Sequence, residues 1–237
     1  MKNLTSTKHL SYKTLVVDDD PKIRQLIRVN LQPRGYIVQE ASDGFEAIKA
    51  LEHDLPDLML LDLVMPMMSG IDVCIQTREH SDLPIIVLSA QDEEQLKIRA
   101  LDAGADDYIS KPFSYEELLA RVRAVMRRSA GSNTDESKKI MVEGLIVDLK
   151  TRRVTVDGQA VHLTRTEFAL LAELAQNLDV VLNHRELLVR VWGPEYFDAS
   201  HYLHIYFGRI RSKIGEKYGN LLETIPGMGY SLRSSSQ

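Results

Sequence analysis

Five side chains stand where they could carry phosphoryl chemistry. Asp18 and Asp19 follow the apolar run Leu15–Val17, Asp62 follows Leu58–Leu61, Ser89 follows Ile85–Leu88, and Lys111 lies just after Tyr108–Ile109. If each run is a buried strand of one parallel sheet, these residues sit at carboxyl ends and converge on the edge where such sheets bind ligands. Three carboxylates brought together repel one another unless a cation neutralises them. Oxygen donors with no His or Cys beside them suit Mg²⁺. A carboxylate next to Mg²⁺, a lysine and a hydroxyl can attack a phosphoryl group and become an acyl phosphate. The plainer alternative is that strand-end aspartates cap the helices that follow. It accounts for one such residue more readily than for all five together.

The elements that would position this set are legible in the periodicity. Thr14–Val17, Leu58–Leu61, Ile85–Leu88 and Tyr108–Ile109 read as buried strands, and Ile37–Gln39 as a weaker one. Pro21–Leu31, Gly44–Glu52, Ile71–Arg78, Glu94–Ala103 and Ser114–Arg128 read as helices. Five strands alternating with five helices predict an α/β domain, a parallel sheet covered on both faces, over residues 1–128. Asp20 falls off the five-residue set and reads as a helix N-cap ahead of Pro21.

Residues 129–139 (SAGSNTDESKK) contain no large apolar side chain and read as a flexible linker. The pattern then changes over residues 140–237. Ile140–Val147 and Arg153–Val156, with an Asp157-Gly158 turn, look antiparallel. Helices are expected over Arg165–Gln176, Arg185–Trp192 and Ser200–Ile214, then a hairpin of Leu222–Ile225 and Tyr230–Leu232 turning at Pro226–Gly229. On the last helix Leu203, Phe207, Ile210 and Ile214 form a core-facing stripe. The opposite side carries His201, Ile205, Gly208 and Ser212, flanked by His204, Arg209 and Arg211. An outward isoleucine can contact a thymine methyl, and arginines can take guanine edges or phosphates. His201 and His204 at i, i+3 find no third metal ligand at matching spacing. Trp192, on an amphipathic helix, reads as core.

Composition bounds the rest. The chain has 237 residues, 44% apolar and 27% charged, which fits two soluble domains. No apolar run reaches the roughly 18 residues of a membrane span. The polar first residues, Met1 to Lys13, are unlike a signal peptide. The lone Cys74 has no internal disulfide partner. Together these features predict a cytoplasmic protein with no membrane partner. The net charge of −5 is unevenly placed: residues 1–128 carry 16 basic and 21 acidic side chains, residues 129–237 carry 13 of each. A nucleic-acid role for the second half therefore needs a local basic face.

The runs LVVDDD, PDLMLLDLVMPMMSG, PIIVLSA and GADDYISKPF resemble those of receiver domains over residues 12–128. The resemblance implies Asp62 as the phosphoacceptor, charged by a sensor histidine kinase. It implies Asp18, Asp19 and Asp62, with the Val64 carbonyl, as Mg²⁺ ligands, Ser89 and Lys111 as partners of the phosphoryl group, and a cis Lys111-Pro112 bond. Tyr108 would swing inward when Ser89 moves. Lys97, Ile98, Leu101, Asp102, Asp107, Glu117, Leu119, Arg121 and Arg123 match a set that recurs in winged-helix response regulators. This implies a homodimer with Lys97–Glu117, Asp107–Arg121 and Asp102–Arg123 contacts, in place of a solvated face with ordinary surface ion pairs.

Residues 140–233 resemble the winged helix-turn-helix output domain of the OmpR/PhoB family, through LTRTEFALLAELAQN, RELLVRVWG, HIYFGRIRSKI and TIPGMGY. Within it, WGPEY followed by SHYLHIYFGRIRSKI looks most like regulators of a high-affinity potassium-uptake operon. The resemblance implies double-stranded DNA with direct-repeat half-sites and RNA polymerase as partners. The expected DNA contacts are His201, His204, Ile205, Gly208, Arg209 and Arg211, with Thr224 and Tyr230 of the terminal hairpin. Pro226 and Gly208 stand where many or some relatives carry basic residues, which weakens the expected grip. The function this predicts is a phosphorylation-dependent transcriptional regulator and no enzyme. Two alternatives stay open: an output domain that binds protein, and a Mg²⁺-dependent phosphohydrolase using Asp62.

Overall fold

The computed structural model describes residues 11–90, 94–130, 139–196 and 200–235. It divides into two compact units between Leu118 and Leu119. In the first, β1 (Tyr12–Val17), β2 (Tyr36–Ala41), β3 (Leu58–Asp62), β4 (Ile85–Ser89) and β5 (Asp107–Ser110) form one parallel sheet in the order β2-β1-β3-β4-β5. β3 and β4 are buried at every position, as the unbroken apolar runs predict for strands covered on both faces. The weaker strand read at 37–39 extends over six residues, and its alternating burial marks it as an edge.

The helices start where short polar residues satisfy their first N–H groups. α1 (Pro21–Leu31) is capped by Asp20, whose carboxylate accepts from Lys22 N, as read from the Asp-Pro pair. α2 (Gly44–His53) is capped by Asp43, and α3 (Gly70–His80) by a Ser69/Asp72 capping box. α4 spans Glu94–Asp102, and α5 spans Tyr115–Ala130. α5 therefore takes in Ser129 and Ala130 of the expected linker. Residues 131–138 of that linker lie outside the described residues.

An arginine the sequence did not single out ties the back of this sheet together. Arg78 of α3 donates to the carbonyls of Gly104, Ser81 and Leu83 at 2.9, 3.2 and 2.6 Å. It also bonds the buried Asp106 at 2.8 Å, and Asp106 accepts from Ile85 N at 3.0 Å.

In the second unit, β6 (Lys139–Val142), β7 (Leu145–Asp148), β8 (Arg153–Val156) and β9 (Gln159–Val161) form an antiparallel sheet in chain order. The single strand expected over 140–147 is in fact a hairpin. It breaks at Glu143-Gly144, with Glu143 in the left-handed region at φ 53°. A Cβ on Gly144 would collide with the Asp157 carboxylate and the Tyr218 hydroxyl, which bond each other. The expected Asp157-Gly158 turn is present, both residues having positive φ. α6 (Arg165–Gln176) and α7 (His184–Val191) each carry a capping box, Thr164/Glu167 and Asn183/Glu186. α8 runs Ser200–Gly219, longer than read, through a kink at Gly215 with φ 81°. β10 (Leu182–Asn183), β11 (Leu222–Ile225) and β12 (Gly229–Leu232) close the unit as a sheet of order β10-β12-β11. The architecture is a five-stranded α/β domain followed by a winged helix-turn-helix. Among the described residues, no helix is long and apolar enough to cross a membrane.

Candidate functional site

The five expected residues meet at the carboxyl edge of the first sheet. Parallel pairing aligns the ends of neighbouring strands: Val17 pairs with Leu61, Asp62 with Leu88, and Ser89 with Ser110. Asp18 and Ser89 are fully buried, Asp62 is nearly so, and Asp19 is exposed. Carboxylate oxygens of Asp18, Asp19 and Asp62 lie within 4.8 Å of one another. Lys111 Nζ donates to Asp18 Oδ2 at 2.7 Å and to Asp62 Oδ2 at 2.8 Å. Its backbone N–H reaches Ser89 O at 2.6 Å, and the Lys111-Pro112 bond is cis, as expected. Val64 N donates to Asp62 Oδ1 at 3.3 Å.

Gly70 makes the close approach possible. Its N–H bonds Leu63 O at 3.0 Å, and a Cβ there would run into the Asp62 carbonyl. Arg24 is a residue the sequence reading missed. Its guanidinium bonds the carbonyls of Asp18 at 2.6 Å and Asp19 at 3.2 Å, fixing the acidic pair from α1. A cation in the first turn opposes the helix dipole, and that misplacement was the available signal.

Burial raises the Asp18 carboxyl above its ordinary range, outweighing the hydrogen bond from Lys111. Burial also works against the Lys111 charge, but its bonds to Asp18 and Asp62 prevail and raise its pKa. A buried carboxylate with a raised pKa is one whose charge costs stability. Below the unfolded value of 3.8 both states hold the proton; above it the unfolded chain ionises first, and the native state loses ground until its own higher pKa is passed. An all-oxygen cluster with this deficit fits a hard divalent cation such as Mg²⁺. We therefore expect Asp18→Asn, which keeps an acceptor for Asp20 N (3.0 Å), to raise the melting temperature at pH 7 in chelator. Mg²⁺ should raise the melting temperature of the parent and leave that of the variant unchanged. A variant that melts lower, with the Mg²⁺ response intact, would make Asp18 a structural cap.

Tyr108 is already buried, 2% exposed, with Lys97 Nζ 5.9 Å from its ring centre. Three members of the expected dimer set lie beneath the surface of this chain. Leu101 and Asp107 are fully buried and Leu119 is 8% exposed. Asp107 turns its carboxylate onto Tyr108 N at 2.8 Å. Lys97, Ile98, Asp102, Glu117, Arg121 and Arg123 retain exposed surface.

In the second unit, Leu203, Phe207, Ile210 and Ile214 are buried as expected, and Tyr202 and Tyr206 join them. Trp192 is core, 5.4 Å from the Tyr206 ring. His204 and Gly208 are exposed, and His201 and Ile205 half-buried, on the other side of α8. Among the described residues, His201 and His204 join no group of three potential metal ligands. Both arginines correct the sequence reading, because neither projects freely. Arg209 Nη2 lies 3.0 Å from Glu167 Oε1, a charge contact outside hydrogen-bonding geometry, and its side chain is 17% exposed. Arg211 donates to Leu222 O at 3.0 and 2.5 Å and to Thr224 Oγ1 at 2.7 Å, and burial lowers its pKa. Tyr230 leaves the contact set: β12 is the central strand, and the ring stacks on Phe207 at 4.0 Å. Thr224 stays exposed.

Residues 14–123 match the family described as "Response regulator receiver domain", and 158–232 that described as "Transcriptional regulatory protein, C terminal". The chain is 44% identical over 218 residues to the "Transcriptional regulatory protein KdpE" of Mycobacterium tuberculosis, covering 91% of this chain and 96% of that protein. It is 42% identical over 228 residues to the "Response regulator MprA" of Mycobacterium bovis, covering 95% and 99%. Among solved structures it resembles DrrB, a Thermotoga maritima OmpR/PhoB homologue, with TM-score 0.51, 28% identity, and 94% and 100% coverage. A RitR mutant shares the fold, with TM-score 0.76 at 24% identity and coverage of 94% and 99%.

Proposed function

The chain belongs to the OmpR/PhoB family of response regulators, and from that premise we propose that phosphorylation of Asp62 by a sensor histidine kinase promotes dimerisation and promoter binding. The observation that carries the chemistry is Lys111 Nζ, within 2.8 Å of both Asp18 and Asp62. Asp18, Asp19, Asp62 and the Val64 carbonyl would hold Mg²⁺, which when bound offsets the charge of the carboxylates and of the incoming phosphoryl oxygens. An Asp62 carboxylate oxygen attacks phosphorus, and the P–N bond to the donor histidine breaks. Its electron pair leaves on the imidazole nitrogen, which takes up a proton. Lys111 then shifts from the carboxylate to the phosphoryl oxygens, and the Ser89 hydroxyl donates to one of them. Asp62 is used once per event and needs the donor again, so the domain acts as a switch and no enzyme.

A pull on Ser89 is transmitted along β4 and β5, whose ends pair at Ser89–Ser110, toward Tyr108 and Lys97. Phosphorylation changes self-association only if two surfaces differ in affinity for a second copy. The half-buried Lys97, Ile98, Glu117 and Arg121 and the exposed Asp102 and Arg123 are the residues we assign to that surface. Asp107, Leu101 and Leu119 would join it only after a rearrangement that uncovers them. RNA polymerase is the further partner we assign to the bound dimer.

DNA is read by α8, with the half-buried Ile205 and the exposed Gly208 at its centre and the β11–β12 wing beside it. We expect the phosphorylated chain to bind tandem direct-repeat half-sites at least roughly tenfold more tightly than one half-site, through linked binding of two copies. Titration of both duplexes, with and without a small phosphodonor, measures this. Equal affinities in all four cases would sink the dimer mechanism. The tied arginines favour one other reading, a domain that docks protein. Affinity for DNA that falls steeply with salt separates the two, since bound cations release counterions.

A further inference from the structure

We propose that Arg24, seated by Glu40, is a positioning residue that aims Asp19 at a divalent cation. The inference rests on the reading of Asp18, Asp19 and Asp62 as Mg²⁺ ligands. The first two of these acids are held in different ways. Asp18 is tied at backbone and side chain without Arg24. Its N–H donates to Ala41 O at 3.2 Å, its Oδ1 accepts from Asp20 N at 3.0 Å, and its Oδ2 accepts from Lys111 Nζ at 2.7 Å. Asp19 is exposed, and among the described residues Arg24 is the one side chain bonded to it. Its carboxylate nevertheless stands in the 4.8 Å cluster, against the repulsion of two other acids.

Arg24 supplies the restraint through the main chain. Its Nη1 donates to Asp18 O at 2.6 Å and to Asp19 O at 3.2 Å. Those carbonyls belong to the two rigid peptide planes on either side of the Asp19 Cα. With both planes held, φ and ψ of Asp19 are set, and with them the direction of its Cα–Cβ bond. A guanidinium alone is the wrong charge to leave beside a cation site. Glu40, from the edge strand β2, offsets it: Oε2 lies 3.4 Å from Arg24 Nε, and Oε1 lies 3.2 Å from Nη1 of Arg28, one turn further along α1. The Arg24 side chain is largely buried, so its placement is fixed before a cation arrives. As partly exposed ion pairs these contacts contribute little to stability. What they set is the geometry of a ligand, and groups that brace metal ligands from behind typically carry about 10- to 100-fold in metal affinity.

The test titrates Mg²⁺ into the full unphosphorylated chain and follows the NMR signals of the Asp18, Asp19 and Asp62 amides, a readout that needs no turnover. Arg24→Gln should raise the Mg²⁺ Kd about tenfold. The deciding measurement is the cycle with Asp19. In an Asp19→Asn chain, Arg24→Gln should change the Kd by less than about twofold, because the ligand it aims has already lost its charge. A residue that only braced α1 would weaken Mg²⁺ equally in both backgrounds. That result, or an unchanged Kd in the single variant, overturns the proposal. Glu40→Gln serves should Arg24→Gln melt too early. It should raise the Kd about threefold, the scale of one partly exposed charge contact, and should not do so in the Asp19→Asn chain. The same Kd as the parent, or the same rise in both backgrounds, again overturns the proposal. If the parent's amides do not respond to Mg²⁺ at all, the metal reading fails first, and the inference with it.

Discussion

Asp62→Asn is expected to abolish labelling by a small phosphodonor while leaving the protein folded. The amide has the size of the carboxylate, and its single oxygen still accepts from Lys111, which stands 2.8 Å from the native Oδ2, while the 3.3 Å bond from Val64 N to Oδ1 is given up. It lacks the anionic oxygen that attacks phosphorus, and it removes one of the three charges that would hold Mg²⁺. Both the nucleophile and part of the metal affinity go in one step, so the loss should be complete. Asp19 is the control the geometry demands, because it is exposed and its carboxylate shares the 4.8 Å cluster. Peptide mapping of the acyl phosphate should place it on Asp62 in the parent and nowhere in the variant. Unchanged labelling of Asp62→Asn would falsify the assignment and move the reaction to a neighbouring carboxylate. Omitting Mg²⁺ should suppress labelling of the parent to the same background.

Arg78→Ala is expected to cost the first unit about 3 kcal/mol or more, the scale of removing one partner from a buried ion pair. Its guanidinium serves three carbonyls and Asp106, whose side chain is 3% exposed. The variant forces the Asp106 charge to stay buried without that partner, and it strips bonds from the loops before β4 and β5. Three kcal/mol is roughly a hundredfold in the open population. Native-state hydrogen exchange at the β4 amides, Ile85 above all, reads this in the first unit alone. Adding Asp106→Ala to Arg78→Ala should recover part of the loss, because the uncompensated charge goes with it. Exchange at β4 that does not change would show Arg78 to be a surface ion pair of little consequence.

The sequence by itself determined the receiver site almost completely, and the reason is topological. A parallel sheet brings every strand's carboxyl end to one edge, so a residue read one step past an apolar run is already placed in space. Asp18, Asp62, Ser89 and Lys111 needed no further information. The helix starts were local too, since a cap and its N–H lie within three residues of each other, as at Asp20 and Ser69. What only the tertiary structure decided involves partners far apart in the chain. Whether Arg209 projects or folds back depends on Glu167 of α6, and whether Arg211 does depends on the strand after it. Amphipathic spacing says which side of α8 an arginine leaves from, and nothing about where its long side chain ends. The burial of Leu101 and Asp107 was missed on the same ground: a charged or apolar residue beside an exposed one gives no sign of its own contacts. The hairpin at Glu143-Gly144 was hidden because two short buried strands in succession read like one longer strand. Only the close approach of Asp157 and Tyr218, some 13 and 74 positions further on, makes the glycine there a requirement.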